Sequence, residues 1–434
     1  MASLVIDGGK KLTGKLTVHS AKNSAVAILC AATMIKGRTV LTEVPEIEEV
    51  YRILELLQSI GVKIKHDRPG VIQLDAHGRL NLKHINRRAC ELTRSSLFLL
   101  GALAAREKKF NLYKTGGCKL GKRTVRPHLL ALEQLGVTVK SLANYYEVKN
   151  KSLRGAYIVM YESGDTATCN AVMAAVLAKG HTTIKMASAN YMVQDLCYFL
   201  LRAGAKINGV GTTTLEIDGV KKLTAVKNYP IMPDPIVAMT YLAAGVVTHS
   251  KITVANCPLE FLELELRKLA LAGLKFKLAN RRRSKNGKFI VVDIVLSPSR
   301  LKALPDKIEG RPFPGLNIDN LPLFVPILLQ AKGRTLVHDW AYENRLVYLL
   351  ELQKLGAKVT LLDPHRLWVE GPARFRPASL MAPPALRPAV DVLLCMLAAP
   401  GRSVLRNTYE IDRGYENLYT VLNKAGAKIK LINN

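Results

Sequence analysis

Six times along the chain, an amphipathic helix tail meets a glycine and then a short strand of alternating polarity. The segments are LELLQSIGVKIK, LEQLGVTVK, LLRAGAKI, LRKLALAGLKFK, LELQKLGAKVT and VLNKAGAKIK. Their glycines are Gly61, Gly136, Gly204, Gly273, Gly356 and Gly426, spaced 68 to 83 residues apart. A second joint precedes most of them by 23 to 25 residues, in AATMIKGRTVLTEV, AAVLAKGHTTIKM, LLQAKGRTLVHD and LAAPGRSVLRN. There a helix ends at a stopping glycine and another strand begins. LGALAAREKKFNLY and LAAGVVTHSKITV fit this joint without the glycine. The repeating unit is helix, strand, helix, strand, with further strands between copies.

A unit of about 70 residues is too long for an ankyrin or tetratricopeptide array. Several of its helices, such as AVMAAVLA and LFLLGALAA, are apolar on every side. A helix with no polar face must be surrounded by protein. The expected fold is therefore α/β, with helices inside and sheets outside: an inside-out α/β barrel of six βαβαββ-type repeats. At 434 residues the chain exceeds what one core usually holds. Two domains of three repeats follow, one over 22–231 and the other over 1–21 plus 232–434.

The formal net charge of +29 attracts anions, whether nucleic acid, phosphorylated metabolites or an acidic membrane surface. A nucleic-acid reader would stack bases on aromatic side chains, and aromatics make up only 6% of the residues. The sharpest basic run, NRRRSKNGK from Asn280, ends in a turn signal and reads as an exposed, solvated hairpin loop. The longest apolar run, AVAILCAATMI from Ala25, is well short of the ~20 residues that span a bilayer. MASLVIDGGKK carries no apolar signal core. The expectation is a cytoplasmic protein with no membrane partner and no specific nucleic-acid partner.

Seven cysteines occur without a CxxC pair, which argues against a disulfide framework and a thiolate zinc site. Cys30, Cys169, Cys197 and Cys395 lie in apolar helical patterns and read as core. Cys118 differs. It follows two glycines in KTGGCKLGKR, among Lys114, Lys119, Lys122 and Arg123. Neighbouring cations favour the thiolate, so the loop is a candidate for chemistry.

The order and spacing of HSAKNSA, LTRSSLFLLGALAAR, GGCKLGKR, GAYIVM, NIDNLPLF, YENR, LRPA and EIDRGYE resemble those of the enolpyruvyl transferase family, from about Gly8 to Ile432. The resemblance implies an active site in the cleft between two domains. It also implies a reaction with phosphoenolpyruvate. A substrate hydroxyl adds to carbon 2 while a proton adds to carbon 3, and the tetrahedral intermediate then loses phosphate and that proton. In the branch bearing such a cysteine loop, the acceptor is the sugar 3-hydroxyl of UDP-N-acetylglucosamine, a peptidoglycan precursor. No cofactor and no metal are implied.

The chemistry makes demands of its own. A phosphate and a carboxylate on three carbons need several cations, and arginine's fork suits both groups. A hydroxyl nucleophile needs a base, and carbon 3 needs a proton donor. By resemblance, Lys22, Arg123 and Arg413 meet the phosphate, Arg345 and Arg387 clamp the carboxylate, and Asn23 meets the tetrahedral intermediate. Arg94 binds substrate, and Asp319 is the general base. Cys118 gives the proton to carbon 3, assists product release and is the target of epoxide antibiotics of the fosfomycin type. Structural alternatives stand beside these roles. Lys22 can be an exposed lysine at a helix start, and Arg94 a helix-surface arginine. Asp319 can cap the helix of LPLFVPILL, and Asp412 can pair with arginine in the EIDRGYE loop.

The acceptor side departs from the family pattern. Arg126 stands where an aspartate is usual, and Glu162 to Thr166 (ESGDT) where the family reads Lys-Val-Ser-Val-Gly. Ala189 to Met192 (ANYM) replace Arg-Glu-Pro-Glu, Pro235 replaces an arginine and Ala385 a carboxylate. Carboxylates at Glu162 and Asp165 are expected to repel a diphosphate. Three readings stay open: transfer to UDP-N-acetylglucosamine, transfer to a different nucleotide or sugar-phosphate hydroxyl, or a non-catalytic anion or nucleic-acid binder.

Overall fold

Each of the six repeat glycines has a positive φ, between 89° and 106°. A Cβ is strained in that region, so glycine is the residue that can close the helix and turn the chain back. The computed structural model, which describes residues 2–116, 120 and 124–433, shows the same event six times. Helix Glu48–Ser59 turns into strand Lys63–Arg68, Arg126–Gln134 into Val137–Ser141, and Tyr191–Arg202 into Lys206–Asn208. Glu263–Leu271 turns into Lys275–Arg283, the 3-10 helix Val347–Leu355 into Lys358–Asp363, and Leu418–Lys424 into Ile429–Asn433.

Each of those strands is the outer member of a small sheet. Among the described residues there are six such sheets, five four-stranded and one three-stranded. In the four-stranded ones a single edge strand runs parallel to its neighbour, as Tyr157–Val159 does beside His181–Lys185. The other pairings are antiparallel. This is the βαβαββ repeat expected from the sequence. In the last repeat Ala2–Gly8 supplies one strand, inserted antiparallel between Gly401–Arg406 and Ile429–Asn433.

The chain divides into two compact units, Met1–His19 with Pro233–Asn434, and Ser20–Gly117 with Thr124–Met232. Each holds three of the sheets. Inside the Ser20–Met232 unit lie Lys22–Ala32, Phe98–Ala104 and Asp165–Ala175. The second of these is buried at every position, and the third from Ala167 onward. Inside the other unit lie Pro235–Val247, Phe324–Leu328 and Leu386–Ala398. The first two are buried throughout, and the third from Leu386 to Leu397. The strands bury alternate residues, as in Lys109–Tyr113. Helices are inside and sheets outside. Cys30, Cys90, Cys169, Cys197, Cys257 and Cys395 are all buried. Cys118 and Arg123 lie outside the described residues. Among those described, no helix is long and apolar enough to cross a membrane.

The basic run at Asn280 is not simply a loop. Asn280 to Arg283 belong to strand Lys275–Arg283, and only the following residues turn. The reason is Asp293 on the adjacent strand, 2% exposed. Its carboxylate accepts from Asn280 Nδ2 (3.0 Å), Asn256 N–H (3.0 Å), Arg282 Nη1 (3.1 Å) and Lys15 Nζ (3.3 Å). Burial raises its pKa, but these donors outweigh burial and hold it at about 2. A carboxyl depressed in the folded state stabilises above its unfolded pKa, and that contribution disappears as pH falls through the folded value. Unfolding midpoints measured between pH 5 and 2 should therefore drop in this unit, and Asp293→Asn should flatten that drop while lowering stability at pH 7.

Candidate active site

The predicted site residues that are described fall into two groups, one in each unit. In the Met1–His19/Pro233–Asn434 unit the group is built on Arg345. It is 1% exposed, and its guanidinium is shared. Nε donates to Asp339 Oδ2 (2.5 Å), Nη1 to Asp319 Oδ1 (3.3 Å) and Nη2 to the Ile318 carbonyl (2.7 Å). The Tyr342 ring lies 4.4 Å from its carbon. A buried guanidinium needs such partners because its desolvation is costly. Asp319 is thus held beside a cation, with its backbone N–H on Asn317 Oδ1 (2.9 Å). It does not cap a helix: the helix starts at Phe324, after an intervening turn. A carboxylate fixed by an arginine and still about a third exposed (31%) can receive a proton from a bound hydroxyl.

Arg387 lies in the first turn of Leu386–Ala398. Its Nη1 donates to Tyr415 Oη (2.7 Å). Tyr415 then gives its own proton to Thr240 Oγ1 (2.7 Å), which donates to the Ile236 carbonyl (2.9 Å). This run of hydrogen bonds fixes the arginine head. Arg413 pairs with Glu410 (3.1 Å). The alternative pairing of Asp412 with an arginine is not seen among the described residues; its carboxylate accepts from Thr408 (3.2 Å) and Tyr419. Gly414 lets this segment approach the start of the 386–398 helix, since a Cβ there would meet Leu386 Cδ2 at 2.4 Å. Pro235 opens helix Pro235–Val247 and is preceded by the N-cap Asp234, which accepts from the Ile236 and Val237 N–H groups.

Sequence reasoning missed Asp391, one turn after Arg387 in the same helix. It is fully buried, and neither carboxylate oxygen has a hydrogen-bond partner among the described residues. Burial pushes its carboxyl well above the usual range, against the pull of Arg345 and Arg387. The signal was legible: one Asp in the otherwise apolar PAVDVLLCML. Asp339, the closest partner of Arg345, carried no comparable signal.

In the other unit, Lys22 and Asn23 open helix Lys22–Ala32 and are half-buried, so Lys22 is not the exposed lysine of the structural alternative. Arg94 begins a 3-10 turn and donates to the Thr124 carbonyl (3.1 Å). Behind it lies a buried polar cluster. Asn170 Oδ1 accepts from Gly101 N–H (2.7 Å), while its Nδ2 donates to the Leu97 carbonyl (3.0 Å) and to His128 Nδ1 (2.8 Å). The backbone groups fix the amide's orientation, so the His128 proton is on Nε2, facing Thr166 Oγ1 (3.3 Å). Burial, reinforced by Arg94, pushes His128 down to about 3.

The rewritten acceptor-side segments are tied to one another. Asp165 is not a free carboxylate facing a ligand. Its oxygens accept from Ser188 Oγ (2.5 Å) and Asn190 Nδ2 (2.9 Å). Glu162 is exposed, and so is Arg126, whose N–H rests on Thr124 Oγ1 (3.0 Å). Neutral donors of the protein thus hold the Asp165 carboxylate in place and leave its charge intact.

A fold of six such repeats has known counterparts. The family described as EPSP synthase (3-phosphoshikimate 1-carboxyvinyltransferase) matches residues 6–422. UDP-N-acetylglucosamine 1-carboxyvinyltransferase of Bacteroides thetaiotaomicron is 31% identical over 448 aligned positions, covering all of both chains. The enzyme numbered 2 of that name from Caldanaerobacter subterraneus is 34% identical over 99% of both. Among solved structures, the enolpyruvyl transferase NikO from Streptomyces tendae superposes with a TM-score of 0.87 at 24% identity, over 100% of this chain and 99% of that one. EPSP synthase from Acinetobacter baumannii gives 0.75 at 17% identity over the whole of both. The chain belongs to the EPSP synthase family and is an enolpyruvyl (carboxyvinyl) transferase.

Two outcomes follow from these clusters. Asp339→Ala strips the closest partner from a buried arginine and should cost about 3–5 kcal/mol, read as a lower denaturation midpoint. His128 binds a proton readily only when unfolded, because its folded pKa lies below its ordinary 6.5. Stability should therefore fall as pH drops from 6.5 toward 3, and thermal melts of His128→Gln should show a flatter fall over that range.

Proposed function

We propose that this enzyme transfers the enolpyruvyl group of phosphoenolpyruvate to the 3-hydroxyl of UDP-N-acetylglucosamine, releasing phosphate. The observation that carries the reading is the end-to-end likeness, at 31–34% identity, to relatives named for that reaction. In this scheme Asp319, positioned by Arg345, takes the hydroxyl proton as oxygen attacks carbon 2. Cys118 delivers a proton to carbon 3. Lys22, Arg123 and Arg413 take up the phosphate charge as the carbon–oxygen bond breaks, and Arg345 and Arg387 hold the carboxylate. Asn23 meets the tetrahedral intermediate, and Arg94 binds the acceptor. Loss of the added proton from carbon 3 yields the enol ether.

A second reading keeps the chemistry and changes the acceptor to another nucleotide or sugar-phosphate hydroxyl. It is favoured by the departures at Arg126, Glu162 to Thr166, Ala189 to Met192, Pro235 and Ala385.

Phosphate release from phosphoenolpyruvate, measured across a panel of acceptors, separates the two. Turnover with UDP-N-acetylglucosamine at micromolar to millimolar concentration is the expected result. Release only with a different acceptor moves the assignment to the second reading. With the productive acceptor, Asp319→Asn should lower kcat by roughly 10²–10⁴-fold, with calorimetric affinity for phosphoenolpyruvate retained. Unchanged turnover would remove Asp319 from the base role.

A further inference from the structure

We propose that Tyr191 is the positioning residue of Asn23, holding its side-chain amide in one orientation for the reacting intermediate. The proposal rests on the reading that Asn23 meets that intermediate. Asn23 is the second residue of helix Lys22–Ala32, and its Nδ2 donates to Tyr191 Oη at 2.9 Å. Tyr191 is the first residue of helix Tyr191–Arg202 and is 1% exposed. The bond links residues 168 positions apart at the facing starts of two packed helices.

Tyr191 is itself immobilised. The preceding residue, Asn190, accepts the Tyr191 N–H on its Oδ1 (2.8 Å) and passes its Nδ2 to Asp165 Oδ2 (2.9 Å). Ser188 Oγ donates to the other Asp165 oxygen (2.5 Å), and the Ser188 N–H donates to Thr168 Oγ1 (3.0 Å). Gln194 Nε2 closes the loop on the Ala189 carbonyl (2.8 Å). Residues 188–190 are thus strapped to the first turns of helix Asp165–Ala175, which fixes the Tyr191 backbone, while burial of its side chain confines the phenol. Asp165 and Tyr191 belong to two of the segments that depart from the family's pattern. Those two are linked, with the Asp165 carboxylate at one end of the chain of bonds and the Asn23 amide at the other.

An amide on a half-buried helix start can rotate about two side-chain bonds. Committing one N–H to a fixed phenol removes that freedom before the substrate arrives. A group oriented in advance lowers the barrier rather than the binding constant when its partner forms only during the reaction. Removing the Tyr191 hydroxyl should therefore appear in kcat and leave the KM for phosphoenolpyruvate nearly unchanged.

The test compares Tyr191→Phe, Asn23→Ala and the double variant, using phosphoenolpyruvate and whichever acceptor supports turnover. Tyr191→Phe should lower kcat about tenfold, a change worth one ordinary hydrogen bond, with KM within about twofold. Because both residues would act through one amide, the double variant should be no slower than Asn23→Ala alone. Independently of activity, ¹⁵N-asparagine-labelled protein should show one side-chain amide pair that vanishes in Asn23→Ala. In Tyr191→Phe that pair should shift and exchange faster with water. Multiplicative losses in the double variant would overturn the proposal, as would an unmoved amide pair. So would a Tyr191→Phe that lowers only the melting temperature. If the unaltered protein releases no phosphate from phosphoenolpyruvate with any acceptor, the enolpyruvyl reading of this site fails, and the amide signals alone decide whether Tyr191 holds Asn23.

Discussion

Everything in this fold follows from helices that have no face for water. Phe98–Ala104 and Pro235–Val247 are buried on every side, and a helix so apolar is stable only when protein surrounds it. Fully burying each large apolar side chain contributes about 1.5–3 kcal/mol, which favours packing such helices against one another. The amphipathic second helix of each repeat and the small sheets then cover them. The sheets bury one face and wet the other. Glycines at positive φ make the covering possible, because they turn each amphipathic helix into an outer strand within a few residues.

An interior this apolar makes each buried charge conspicuous. Arg345 and Asp339 neutralise one another, and Asp319 is drawn into the pair from the side that water still reaches. Arg387 is oriented through Tyr415 and Thr240. Beside Asp339, a second buried carboxyl near these arginines is Asp391, one turn after Arg387 in the same helix. In the other unit a neutral His128 and an amide fixed by backbone groups set hydrogen-bond directions without adding charge.

The architecture was legible because its signals are local. A helix tail, a glycine and an alternating strand lie within a dozen residues, and the period exposed six copies. The short motifs that carried the candidate site were legible for the same reason. Long-range partners were not. Nothing near Asp319 in sequence announces Arg345, and the cap reading failed because the turn at Asn317–Pro322 delays the helix to Phe324. Asp165 looked like a carboxylate aimed at a ligand because its partners, Ser188 and Asn190, are more than twenty residues away. The arginines at 281–283 looked like loop because the buried Asp293 that draws Arg282 into the strand sits across a hairpin. In each case the deciding interaction was a hydrogen bond or ion pair between segments, which periodicity does not encode.

The pairing of Ala2–Gly8 has a consequence for biosynthesis. This strand leaves the ribosome before either partner, since both lie beyond residue 400. Its backbone donors and acceptors have no sheet to join until those partners are made. Ser20–Met232 holds all the strands of its own three sheets well before that point. Synthesis of Gly401–Arg406 and Ile429–Asn433, rather than collapse of the earlier residues, therefore sets when the sheet around Ala2–Gly8 becomes whole.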